Sequence, residues 1–249
     1  MKRFTYIILF LVVVSGCLHA EETTIPFPRI SVGVESAESR EDVAMTLQIL
    51  FLMTILSLAP AILILTTSFT RMIIVFHFLR QAMGTPQMPP AQVVIGLALF
   101  LTFFVMTPTW KEVNTIALQP YLNDEITFQD AVESGVEPLR DFMFRHVREE
   151  DLALFVSIDS GVKPDNRDDI STYALISAFA LSELRIGFQI GFILFIPFLI
   201  IDMVIASVLM SMGMMMMPPI IISLPFKILL FIMVDGWHLI VGSLITSFG

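Results

Sequence analysis

Four apolar runs, at positions 43–67, 91–106, 186–212 and 219–248, constrain this chain more than anything else in it. A helix needs about 20 mainly apolar residues to cross a bilayer. Runs of this length and purity predict membrane helices. The rest of the composition agrees. Of 249 residues, 56% are hydrophobic and 15% are charged, against about 45–50% and about 25% in soluble domains. The expected fold is an all-α membrane protein: a signal peptide, then about four long apolar helices arranged as hairpins. A small helical periplasmic segment lies between the second and third. The net charge of −9 argues against nucleic acid as a partner.

The order of segments follows from composition. Residues 1–20 have a basic start at Lys2 and Arg3, a short apolar core and a cleavage point after Ala20, as in a signal peptide. Lipidation at Cys17 is the alternative, because Val14-Ser15-Gly16-Cys17 is similar to a lipobox. Cys17 is the one cysteine, so no intrachain disulfide forms. Residues 21–42 read as a flexible exported lead-in, 43–109 as a first helical hairpin and 110–185 as a periplasmic helical segment. Residues 186–249 form a second hairpin. An exported start puts Arg71 and Arg80 in a cytoplasmic loop, as the positive-inside bias expects. Thr127 and Asp130 are spaced as a capping box. Gly135 and Pro138 interrupt the helical spacing that follows, and two or three short helices are expected across residues 110–185. Pro108 closes the second run.

The turn between the third and fourth runs is unusual. Met210-Ser211-Met212-Gly213-Met214-Met215-Met216-Met217-Pro218-Pro219 contains six methionines and no charge. Membrane hairpin turns normally meet water. Methionine is unbranched and polarizable and adapts to irregular or changing shapes. Gly213 permits a sharp bend and the two prolines stop the helix. The reading is either a tight Met-rich hairpin or a soft constriction in a protein-lined passage.

Asp202, Lys227 and Asp235 are the charges inside the apolar runs. A lone charge at bilayer depth costs at least about 2.5–3.5 kcal/mol. At 1.5 Å per residue, Asp202 and Lys227 lie at depths about 4–5 Å apart on either side of a turn near Met216, within side-chain reach. They are expected to pair. Glu183 is the rival partner for Lys227, from a neighbouring subunit.

Signs of catalysis are missing. His19, His77, His146 and His238 belong to no metal-binding pattern, and there is no nucleophile elbow, Walker loop or dinucleotide glycine motif. Arg145 to Glu150 reads as a solvated charged face. No enzyme activity, metal or cofactor is expected.

Two long stretches carry a resemblance. SFTRMIIVFHFLRQAMGTPQMPPAQVVIGLALFLTFFVMTP, from Ser68 to Pro108, resembles one signature of the FliP family. FQIGFILFIPFLIIDMVIASVLMSMGMMMMPP from Phe188, with SLPFKILLFIMVDGW ending at Trp237, resembles the other. The resemblance implies a core pore-forming subunit of the flagellar type III protein export gate. Its setting would be the flagellar basal body in the bacterial inner membrane. Copies of the chain, five in that family, would join FliQ and FliR beside FlhB and the basal-body ring. They would pass unfolded flagellar proteins across the membrane. Met214, Met215, Met216 and Met217, flanked by Met210, Met212, Gly213, Pro218 and Pro219, would form a gasket. Glu183, Asp202, Lys227 and Asp235 would serve as buried charges in assembly. Injectisome export gates are the related alternative, and the signal peptide favours the flagellar branch. An ion-coupled transporter subunit, with Asp202 and Lys227 as its relay, is the alternative of a different class, though no inverted repeat is evident.

Overall fold

The computed structural model describes residues 40–85, 87–159, 164, 166–214 and 218–249. The expected signal segment with Cys17 and Ala20, the lead-in up to residue 39, and Met215, Met216 and Met217 lie outside the described residues. The chain divides into two compact units, Met1–Phe51 and Leu52–Gly249. In the first, the described backbone is helical from Arg40 onward.

Among the described residues every regular element is helical. Helix α1 spans Arg40–Thr66, α2 Phe69–Ala82 and α3 Ala91–Val113. A π-helical turn, Asn114–Leu118, joins α3 to α4 (Gln119–Leu122). Next come α5 (Phe128–His146), α6 (Glu149–Asp159) and a 3-10 turn (Arg167–Asp169). The chain ends with α7 (Thr172–Ser211), α8 (Pro219–Met233) and α9 (Gly236–Thr246). Among the described residues, three helical stretches are long and apolar enough to cross a membrane: Thr46–Thr66, Ala91–Leu122 and Thr172–Ser211. The α8–α9 pair makes a fourth if its 62° bend lies within one span.

Local chemistry explains the joints. At the α1–α2 turn, Thr67 Oγ1 donates to the Leu63 carbonyl at 2.7 Å and Thr70 Oγ1 to the Ile64 carbonyl at 3.1 Å. These hydroxyls serve carbonyls that the helix end leaves unpaired. The capping box at Thr127 and Asp130 is present, with both reciprocal bonds made.

Several helices run further than local breakers imply. Helix α3 passes through Pro108, and α5 continues as one helix through Gly135 and Pro138. Pro138 is buried, and a Cβ on Gly135 would touch Ala117 at 3.4 Å, so tight packing occupies both positions. Burial of that face outweighs the lost backbone donor. Helix α7 begins at Thr172, ahead of the apolar run that starts at 186.

Helix α2 lies at the centre of one apolar cluster. Its Met72, Val75, Phe76 and Leu79 pack with Val94 and Ala98 of α3, Phe198 of α7, Phe231 of α8 and Leu244 of α9. A second cluster joins Met106 to Phe142, Met143, Leu175 and Phe179. Outside these clusters the apolar helices are bare: Phe100, Phe103, Phe192, Ile193 and Met203 are all exposed. In a membrane chain such faces meet lipid or further subunits.

Candidate functional site

The first buried charge is Arg71. It was expected with Arg80 in a loop on the cytoplasmic side, and the structure has a helix in place of that loop. Both residues belong to α2, and Arg71 is 2% exposed. Its Nε donates to Glu183 Oε2 at 2.9 Å and its Nη2 to Oε1 at 2.5 Å. Glu183, on α7, is fully buried. A planar fork meeting both carboxylate oxygens is the strong form of such a pair. The remaining Nη1 donates to the Ser247 carbonyl at 3.0 Å and to Ser247 Oγ at 2.9 Å. The guanidinium also lies over the Phe248 ring, 3.7 Å from its centroid. The charge is therefore held by two stretches far from α2 in sequence, one on α7 and one just after α9. Arg80 lies half-buried in the last turn of α2, where a cation suits the helix dipole.

Beside Glu183, Ser182 is equally buried. Its Oγ donates to Asp151 Oδ2 at 2.8 Å and accepts from the Arg148 backbone at 3.1 Å, tying α6 to α7. His146, at the end of α5, faces two carbonyls: Phe142 at 2.7 Å from Nδ1 and Phe248 at 3.3 Å from Nε2. Burial holds its pKa below the ordinary 6.5, although both carbonyls pull the other way. Arg71 and Arg145 add to the lowering by charge repulsion.

The second pair links the two arms of the last hairpin. Lys227 Nζ, on α8, donates to Asp202 Oδ2 on α7 at 2.6 Å. It also donates to the Ala82 carbonyl at 3.1 Å, at the C-terminal end of α2. Ser223 Oγ donates to Asp202 Oδ1 at 2.6 Å. The lysine side chain is 3% exposed and the aspartate 29%, so the pair opens outward on its acidic side. Glu183, the rival partner for Lys227, is occupied by Arg71. Asp235 joins neither pair. It is exposed, sits at the α8–α9 bend and has a left-handed backbone at φ 49°. A short polar side chain is among the few that tolerate that region. Gly236 follows because a Cβ there would fall 2.3 Å from the Phe231 ring.

The methionine turn begins with a well-defined helix end. The Met214 N–H bonds to the Leu209 carbonyl at 3.0 Å and the Gly213 N–H to Met210 at 3.1 Å. With Gly213 at φ 75°, this is a Schellman motif. Pro218 and Pro219 open α8, where a missing N–H costs nothing. Met210, Met212 and Met214 are exposed.

One contact escaped the sequence reading. Gly187 and Gly191 form a Gly-x-x-x-Gly step on α7 that lets α2 approach closely. A Cβ on Gly191 would lie 2.6 Å from Phe78 Cγ, and one on Gly187 would lie 3.1 Å from Ile74 Cγ2. The spacing itself was the available signal.

Comparison with known proteins gives a consistent answer. The model of the FliP family matches residues 52–244. A protein named Flagellar biosynthetic protein FliP from Bacillus subtilis (strain 168) is 54% identical over 217 residues, which cover 87% of this chain and 98% of that one. Its namesake from Pectobacterium carotovorum subsp. carotovorum is 52% identical over 204 residues, 82% of this chain and 79% of its own. The namesake from Aquifex aeolicus (strain VF5) is 49% identical over 205 residues, 82% of this chain and 86% of its own. With a family model covering more than half its length and relatives near half identity, the chain belongs to the FliP family.

Proposed function

We propose that this protein is a pore-forming subunit of the flagellar protein export apparatus in the bacterial inner membrane, and that its methionine turn seals the passage. Family membership and the names of its relatives support a role in flagellar biosynthesis. The observation that carries the finer reading is the turn. A Schellman-capped helix end presents exposed, uncharged methionines between two apolar helices, and none of Met210, Met212 or Met214 is buried in the chain's own core. Thioether side chains from several copies close around objects of varying width. The exposed apolar faces of α3 and α7 are consistent with partners such as FliQ, FliR and further copies of the chain.

In this reading the buried charges do structural work. Arg71–Glu183 and Asp202–Lys227 each join helices that are distant in sequence, and α2 takes part in both. They hold the hairpin that carries the turn. Asp235 marks the bend in the last apolar stretch.

The test is ion leakage. Replacing Met214, Met215, Met216 and Met217 together with alanine in co-assembled complexes, reconstituted in liposomes, is expected to raise passive ion flux while leaving assembly intact. Unchanged flux in assembled complexes would reject the seal and leave a scaffold. Uptake of a small solute by the complex would favour a transporter.

A further inference from the structure

The last apolar stretch changes character at its bend. Before the bend, the large exposed side chains of α8 are all apolar: Ile220, Ile221, Phe226, Leu229, Ile232 and Met233. Beyond it, Gly236, Ile240 and Leu244 of α9 are buried and mark its inward face. Two positions on from each is a rotation of about 200°. His238, Gly242 and Thr246 therefore point the opposite way. His238 and Thr246 are exposed, and Gly242 is half-buried. A Cβ on Gly242 would meet nothing within 4 Å. Thr246 Oγ1 donates to the Gly242 carbonyl at 2.9 Å. Asp235, exposed at the bend, stands three positions before His238. The outward face of α9 thus carries a carboxylate, an imidazole, bare backbone and a hydroxyl, with Leu239 and Ile245 beside them.

These groups lie at apolar depth. The Trp237 ring is 6.4 Å from the Phe76 ring, which sets the start of α9 beside the middle of α2. At that level α2 packs on Gly187 and Gly191, inside the apolar run of α7 that begins at 186. Among the described residues, the side chains of Asp235 and His238 have no hydrogen-bond or ion-pair partner. An ionisable side chain at such a depth faces the interior of an assembly or a water-filled cavity, not acyl chains. The contrast with α3 is plain. Phe100, Phe103 and Phe104 are exposed there, a surface suited to lipid or to a packed helix.

We propose that the face of α9 formed by Asp235, His238, Gly242 and Thr246 is a wet wall of the passage, against which the exported polypeptide slides. The inference rests on the reading of this protein as a conduit subunit, but not on the methionine seal. The wall begins about 22 Å along the chain's path from the methionine turn, the length of α8. An unfolded chain exposes its backbone amides. Groups that bond water also bond those amides, and exchange between the two costs little. An apolar wall would instead hold every apolar side chain that passed. The surface therefore fits an extended polypeptide of any sequence.

Single cysteines test the wall: His238→Cys and Gly242→Cys, in a Cys17→Ser background, against Ile232→Cys and Phe100→Cys on apolar faces. The full chain is purified with its co-assembled subunits and treated with a trimethylammonium methanethiosulfonate, a charged reagent that attacks thiols from water. Mass spectrometry follows the fraction modified over time. His238→Cys and Gly242→Cys are expected to react at least about tenfold faster than the two controls. The measurement is repeated on complexes jammed by a flagellar protein fused to a stably folded domain. There the two fast rates should fall at least about fivefold. Equal rates at all four positions overturn the proposal, since the stripe is then no wetter than the apolar faces. So does fast modification that a co-purifying jammed substrate leaves unchanged, because the stripe is then wet but off the passage. A fusion that never co-purifies removes the conduit reading itself, and this inference with it.

Discussion

Arg71 and Glu183 stand 112 positions apart and meet in a two-bond ion pair from which water is excluded. Each charge is stable there only because of the other. The Coulomb gain roughly offsets the cost of burying both, so the pair specifies geometry more than it adds stability.

Removing one partner should therefore hurt far more than removing both. Glu183→Gln is expected to cost about 3–5 kcal/mol, because it strands a buried guanidinium. Arg71→Met combined with Glu183→Leu should recover a large share of that loss. Denaturant unfolding of the detergent-solubilised chain gives these values, together with those of Arg71→Met and Glu183→Leu taken singly. Additive losses in the double variant would mean that the two residues do not act as a pair.

The contact between α2 and α7 predicts a different sensitivity. Gly191→Ala drives a methyl group toward Phe78, whose own Cβ would be 2.9 Å away and cannot swing aside as a ring can. A cost of about 1–3 kcal/mol is expected from overpacking. Gly242→Ala, with nothing within 4 Å, should be neutral or slightly stabilising in the isolated chain. Phe78→Ala removes the ring atoms 2.6 Å away but keeps the Cβ, so it should relieve Gly191→Ala only in part. Equal effects at Gly191 and Gly242 would show that the close approach does not exist.

What could be read in advance depended on whether the cause was local. The apolar runs announced α1, α3 and α7, and the Thr127–Asp130 spacing announced a cap that is present. Asp202 and Lys227 could be matched because a hairpin makes depth countable from its turn. Arg71 offered no such count: its partner lies on a helix beyond the whole polar segment, and a positive charge near an apolar run reads first as a loop signal. The continuity of α5 through Pro138 was hidden because burial, not propensity, decides it. The bend at Asp235 was hidden because its Gly236 reads as an ordinary helix residue until Phe231 is seen against it. The wider resemblance came from two long signature stretches, which say what kind of assembly the helices serve but not how one chain folds.

The second ion pair should respond unequally to loss of its two members. Asp202→Asn leaves Lys227 buried with carbonyl-type partners alone, whereas Lys227→Met leaves an aspartate that is 29% exposed and still bound by Ser223. The first is expected to be the more damaging, by about 1–2 kcal/mol. Swapping the two should improve on Lys227→Asp but fall short of wild type. An aspartate at 227 would face the C-terminal carbonyls of α2, which repel it. Folded yield of the chain and of its co-assembled complex measures both effects. A swap no better than Lys227→Asp alone would remove the pairwise account.

Acid should weaken the fold through His146. Its folded pKa lies below the ordinary 6.5 because burial, reinforced by Arg71 and Arg145, opposes the charged ring. Above 6.5 the histidine is neutral in both folded and unfolded chains and contributes no pH dependence. As pH falls through that value the unfolded chain takes up a proton first, so stability declines. The decline stops once the folded ring also titrates. Unfolding midpoints taken across that window should therefore slope downward with acidity in the wild type and flatten in His146→Gln, after allowance for the carboxylates that titrate at lower pH. Equal slopes in the two proteins would mean that the ring is solvated in the folded state, and that Phe142 and Phe248 do not enclose it.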